Sequence, residues 1–132
     1  CVNYIPQADI PRFFARVAGC LKKGGTFLFD VSSAYKLREV LGNNSFCEDR
    51  EEVAYMWFNT LHADRVEMDF TLFVRGEDGR FSREDERHVQ YIHEEDDLRR
   101  AAEGAGFSVR AVEGALGDDA DTMRQNFLCV RE

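Results

Sequence analysis

The chain has 132 residues, 44% of them hydrophobic, with 17 basic against 25 acidic residues and a net charge of −8. That length carries one domain with a modest core, and the composition excludes wholesale disorder. The acidic balance argues against a nonspecific hold on nucleic acid or on an anionic membrane, and no apolar run reaches a membrane span. Cys1, Cys20, Cys47 and Cys129 lack C-x-x-C spacing. They predict reduced thiols in a cytoplasmic protein, ahead of a disulfide framework or a zinc site.

Taken in order, Asp9 stands where a helix cap would, before Ile10, Phe13, Phe14, Val17 and Leu21 at helical spacing. Pro11 falls in the first turn, where a missing amide is harmless. Lys22 and Lys23 are predicted to close this helix, and Gly24-Gly25 to release the chain through a left-handed residue. The run Thr26-Phe27-Leu28-Phe29 is too short for a helix and too uniformly apolar for a half-wet strand. It predicts a strand covered on both faces, as in a parallel sheet. Asp30 then stands at its carboxyl end, the edge of an open α/β sheet where ligands collect. Ser32 or Ser33 caps a short helix over Tyr35 to Leu41, which Gly42-Asn43-Asn44 ends.

From Ser45 to Ile92 the period changes from helical to two. A three-stranded antiparallel meander is predicted, with strands over Val53–Phe58, Val66–Val74 and Phe81–Ile92. His62-Ala63-Asp64 and Gly76-Glu77-Asp78-Gly79 are its turns. Val66, Met68, Phe70, Leu72 and Val74 form one dry face, while Glu84, Glu86, His88 and Gln90 share a face of the last strand. Glu94 to Gly104 returns to helix, with acids in its first turn and an apolar seam of Leu98, Ala101, Ala102 and Ala105. Strands over Phe107–Glu113 and Asn126–Arg131 follow, joined by a loop over Gly114–Asp121.

The segment Leu21-Lys22-Lys23-Gly24-Gly25, its apolar run and Asp30 together resemble the fifth-strand region of class I S-adenosylmethionine-dependent methyltransferases. Val31-Ser32-Ser33-Ala34-Tyr35-Lys36 resembles the D-[IV]-[NS]-S-x-Y-K continuation of a bacterial branch with a β-rich insertion. Cys1-Val2-Asn3-Tyr4-Ile5 is similar to the S-L-N-Y-L after that branch's fourth strand, and Ala105-Gly106-Phe107 to the entry of its sixth. The resemblance implies an α/β fold: a partial Rossmann-like methyltransferase sheet, strands 5 to 7 of the family, with an antiparallel β-meander insertion. Residues 1–44 and 93–132 would be core parts and residues 45–92 the insertion, within one compact domain. S-adenosylmethionine is the implied cofactor of the full-length protein, and a small molecule the implied methyl acceptor. The family's glycine-rich loop and ribose-binding acid precede its fourth strand, and no G-x-G-x-x-G stands here. The chain is therefore expected to be a C-terminal portion, inactive alone. Its fifth-strand edge would lack a neighbour and invite self-association or pairing with the missing half.

The same resemblance places Asn3 and Tyr4 near the cofactor's methionine part; read by themselves they are a strand-exit turn and a buried tyrosine. It implies an acceptor pocket drawing on Asp30, Tyr35, Lys36, Trp57 and Arg124. Tyr35 and Lys36 equally fit helix packing, Trp57 with Tyr55 fits a core stripe, and Arg124 fits an ion pair with Asp119 or Asp121. Glu86 and His88 resemble the E-x-H segment closing the insertion, where a carboxylate can orient an imidazole as general base. A solvated strand laced with charge pairs accounts for the same two residues. His62 and His93 have no metal-ligand spacing. Two rivals stand beside methyl transfer: a non-catalytic binding or dimerisation module derived from a methyltransferase, and a hydrolase or isomerase using Glu86 and His88 without S-adenosylmethionine.

Overall fold

A computed structural model describes residues 2–113 and 123–132. Short 3-10 turns at Val2–Tyr4 and Gln7–Asp9 lead into helix α1, Ile10–Cys20. The predicted stripe holds: Ile10, Phe14 and Ala18 are buried, and Phe13, Val17 and Leu21 pack at the margin. Two local expectations fail. Asp9 occupies the cap position, but its side chain makes no capping bond. The lysines do not close the helix, which stops at Cys20 and leaves through an extended Leu21. Sheet pairing explains the early exit, because the Gly24 amide donates to the Arg131 carbonyl at 2.7 Å and the Gly25 carbonyl accepts from the Arg131 amide at 2.8 Å. Gly24, at φ 78°, is the left-handed corner of a tight turn from Lys22 to Gly25.

Strand β1 (Thr26–Ser32) pairs antiparallel with the last strand, β7 (Arg124–Arg131), and β7 pairs antiparallel with β6 (Phe107–Glu113). Phe29, Val31, Phe107, Phe127 and Cys129 form a core with Phe14 of α1 and with Leu98 and Ala102 of α2 (Glu95–Gly104). Phe29 and Phe127 stack across the strands at 4.7 Å, and Phe14 meets Phe29 edge-on at 5.4 Å. The expected cover on both faces of β1 is met on one face: Leu28, on the other, is 67% exposed. One edge of β1 takes β7, and the other carries no strand among the described residues. Asp30 does not end the strand, because β7 reaches back to Arg124 and pairs it with Ser32. The predicted loop Gly114–Asp121 lies outside the described residues, as does Cys1.

A second sheet stands between β1 and α2 in the chain. It has four strands, not three, in the order β2 (Ser45–Asp49), β3 (Val53–Leu61), β4 (Arg65–Arg75) and β5 (Phe81–Tyr91). The extra strand β2 is too short for its period to register in the sequence; pairing with β3, Phe46 opposite Trp57, holds it extended. The dry face of β4 is dry at one end only. Val66 and Met68 are buried against Leu37, Leu41 and Ile92, whereas Val74 lies exposed where the β4–β5 hairpin runs past its support. Ser33 caps the segment after β1, its Oγ accepting from the Lys36 amide at 3.0 Å. Lys36–Leu41 is then π-helical, closed by the Gly42 amide on the Leu37 carbonyl at 2.9 Å. No helix among the described residues is long and apolar enough to cross a membrane.

His93, just before α2, is fully buried with Nδ1 2.6 Å from Gln7 Oε1. Burial lowers its pKa from the usual value, although the Val2 and Ile5 carbonyls and Asp97 oppose that shift. The unfolded chain therefore takes up a proton below about pH 6.5 that the folded chain resists. This group's contribution to stability is whole at neutral pH and is lost as the pH falls below about 6.5 toward the lowered folded value. A His93→Gln variant is expected to show a flatter Tm between about pH 7.5 and 5 than the parent chain. Parallel curves for the two proteins would refute this account of His93.

Candidate functional site

The turn at Val2–Tyr4, the end of β1, the π-helical segment and the inner face of the second sheet meet around a cavity of about 200 Å³. Lys36, Trp57 and Arg124, expected together in an acceptor pocket, line it with Tyr4, expected near the cofactor, and His88, the candidate base. Their positions follow from local structure. Ser33 sets the start of the segment that carries Lys36, and strand alternation brings Trp57 and His88 to the inner face.

Tyr4 is not buried: it is 47% exposed, and its hydroxyl lies 3.1 Å from His88 Nδ1. His88 Nε2 lies 3.0 Å from Glu86 Oε2. With the ring proton on Nε2, Glu86 accepts it and Nδ1 keeps a lone pair for the Tyr4 hydroxyl. Phe70 meets the His88 ring edge-on at 5.5 Å and fixes its plane. Glu86 does not line the cavity and acts on it through His88. Trp57 serves core and wall together: it lies 4.8 Å from both Phe46 and Phe70, and its indole N–H donates to Asn59. Asn59 is held in turn by donating to the Leu41 carbonyl at 3.2 Å.

The expected residues Asn3, Asp30 and Tyr35 do not line this cavity. Arg124 pairs with Asp30, while its suggested partners Asp119 and Asp121 lie outside the described residues. Asp30 itself borders a second groove of about 380 Å³ along the free edge of β1, with Val2, Ile5, Phe13, Phe27, Leu28 and Phe29. Tyr35 points outward, 52% exposed. Asn3 is wholly buried and spans the two sheets. Its amide nitrogen donates to the Ser32 carbonyl at 3.1 Å and the Tyr91 carbonyl at 3.2 Å, and its oxygen accepts from the Ser32 amide at 2.8 Å. Those bonds commit its side chain to holding the sheets together. Gln90, Met68 and Phe70, which the sequence does not single out as site residues, also line the cavity. The available signal was alternation, since Gln90 follows His88 by two positions on the same face.

A larger groove of about 450 Å³ between α1 and α2 gathers less chemistry, because its charged residues Asp97 and Arg100 pair with each other. Among the described residues no group of three or more His, Cys, Asp or Glu could hold a metal ion.

No protein-family model matches the chain. Over 122 residues it is 34% identical to a provisionally named methyltransferase of Geobacillus sp. (strain WCH70), a match spanning 90% of this chain and 49% of that protein. The provisionally named Bacillus subtilis (strain 168) methyltransferase YqeM is 28% identical over 120 residues, covering 89% and 48% respectively. An S-adenosylmethionine-dependent methyltransferase from Clostridium acetobutylicum superposes with a TM-score of 0.91 at 34% identity, over 98% of this chain and 54% of that one. The chain matches about half of each of these methyltransferases. DesVI of Streptomyces venezuelae, at TM-score 0.76 and 16% identity over 99% of this chain and 55% of its own, shares the fold. The likeness to the Clostridium acetobutylicum enzyme extends over both sheets of the described structure, including the one bearing His88. The chain spans about half the length of the curated relatives it matches.

Proposed function

We propose that this chain is the C-terminal, acceptor-binding portion of an S-adenosylmethionine-dependent methyltransferase, with core parts 1–44 and 93–132 and a roof formed by residues 45–92. The convergence of Tyr4, Lys36, Trp57, His88 and Arg124 on one cavity carries this reading, beside the kinship. The cofactor would supply an electrophilic methyl group. The described residues do not themselves make its cradle: no glycine-rich loop stands among them, and Asn3 is engaged by Ser32 and Tyr91. The contribution of this chain is to hold the acceptor against the Trp57–Phe70 wall, where orientation supplies most of the rate effect. Glu86 orients His88, and the Tyr4–His88 pair takes the proton that an amine or hydroxyl must lose. The unpaired thiols of Cys20, Cys47 and Cys129 fit a reducing compartment such as the cytoplasm.

Titration of the isolated chain with S-adenosylhomocysteine is expected to give weak heats or none, and robust binding once the other half is joined to it. Micromolar affinity of this chain alone would overturn the division of labour.

The open edge of β1 supports a second element of this reading. No strand among the described residues pairs with this edge, and Leu28 and the apolar groove beside it leave it exposed, an edge of the kind that seeks another strand. Self-association of the isolated chain is expected, and Leu28→Lys should shift it toward monomer in sedimentation velocity. A parent chain that stays monomeric in concentrated solution counts against it. The same edge favours the alternative of a dimerisation module without catalysis, which predicts a full-length protein that assembles but never consumes S-adenosylmethionine.

A further inference from the structure

The cavity beside His88 contains two polar groups that the proton relay leaves unused. Lys36 lines it, half-buried, and among the described residues no carboxylate pairs with its ammonium. Gln90 carries a carboxamide oxygen that is buried with no hydrogen-bond partner among the described residues. Arg124, the other cation of the cavity, is already matched by Asp30. A partly buried ammonium without a counter-ion favours an anion, and a buried acceptor without a donor costs free energy until one arrives. Trp57, Phe70 and Met68 supply the apolar surface between them.

We propose that the methyl acceptor is a small amino carboxylate, its carboxylate on Lys36 and its amine beside Gln90 and Tyr4. An amine fits better than a hydroxyl because the cavity offers two hydrogen acceptors, Gln90 Oε1 and the Tyr4–His88 pair, and one hydroxyl hydrogen cannot serve both. A volume of about 200 Å³ is room for roughly six waters at about 30 Å³ each, so the part that enters carries a short carbon chain. This inference rests on the methyl-transfer reading of the same site, yet its test needs no cofactor.

Trp57 is the chain's one tryptophan, so its emission reports on this wall. The probes are 4-aminobutyrate, its neutral amide 4-aminobutanamide, and butyrate. The acid with the amine is expected to change the emission saturably, and each of the other two to bind at least about 10-fold more weakly. Lys36→Met should erase the preference for acid over amide and keep the need for an amine. Gln90→Leu should do the reverse. Equal binding of acid and amide overturns the proposal, as does a preference that survives Lys36→Met, or no saturable response from a chain folded by circular dichroism. If acid and amide bind alike while the full-length protein still transfers methyl groups, this inference falls and the functional reading stands. If the preference holds and no methyl transfer occurs, the reverse follows.

Discussion

Replacing His88 by alanine, in a full-length protein containing this chain, is expected to slow methyl transfer by about 10²–10⁴-fold while leaving cofactor affinity unchanged. His88 lines the cavity under the second sheet, its Nδ1 is 3.1 Å from the Tyr4 hydroxyl, and Glu86 holds its other nitrogen. On the proposed reading, loss of the imidazole removes the group that receives the acceptor's proton and frees Tyr4 from its partner. Glu86→Gln should cost less, because it removes orientation and charge but leaves the ring in place. Release of S-adenosylhomocysteine is the readout. An unchanged rate would return Glu86 and His88 to the status of a surface charge pair. A reaction that runs without S-adenosylmethionine yet dies with His88 would instead support the hydrolase or isomerase reading.

The second large effect concerns stability. Asn3→Ala is expected to destabilise the chain by about 2–4 kcal/mol, since it strips partners from the Ser32 amide and from the Ser32 and Tyr91 carbonyls. The corresponding fall in Tm is roughly 10 °C for a chain of this size. Thermal unfolding followed by circular dichroism measures it. Asn3→Asp should be no rescue, because it removes both donor bonds and buries a carboxylate. A variant with unchanged Tm and reduced cofactor affinity in the full-length protein would give Asn3 the cofactor-binding role that the resemblance implies.

Much of the architecture is legible in the sequence, for local reasons. The apolar spacing of α1, the run Phe27 to Phe29 and the alternation from Val66 to Leu72 each announce an element that forms, although β1 is covered on one face only and β4 is buried only at Val66 and Met68. Boundaries are less legible wherever a distant segment sets them. The helix α1 ends at Cys20 because the following turn bonds to Arg131, and β1 continues past Asp30 because β7 meets it at Arg124. The short strand β2 exists through its pairing with β3.

The candidate site divides along the same line. Residue types and the family likeness single out Tyr4, Lys36, Trp57, His88 and Arg124 and assign Lys36, Trp57 and Arg124 to one pocket, but not that the Tyr4–His88 pair and Gln90 line it with them. Asn3 and Tyr4, neighbours in the chain, receive opposite fates. One is drawn inward by the unpaired backbone groups of Ser32, and the other is turned out toward a histidine 84 positions away. Sequence by itself determined most of the elements and the buried stripe of α1, because periodic apolar side chains impose burial within a few residues. Only the tertiary structure decided which polar groups meet, because those hydrogen bonds join segments whose separation along the chain leaves no periodic trace.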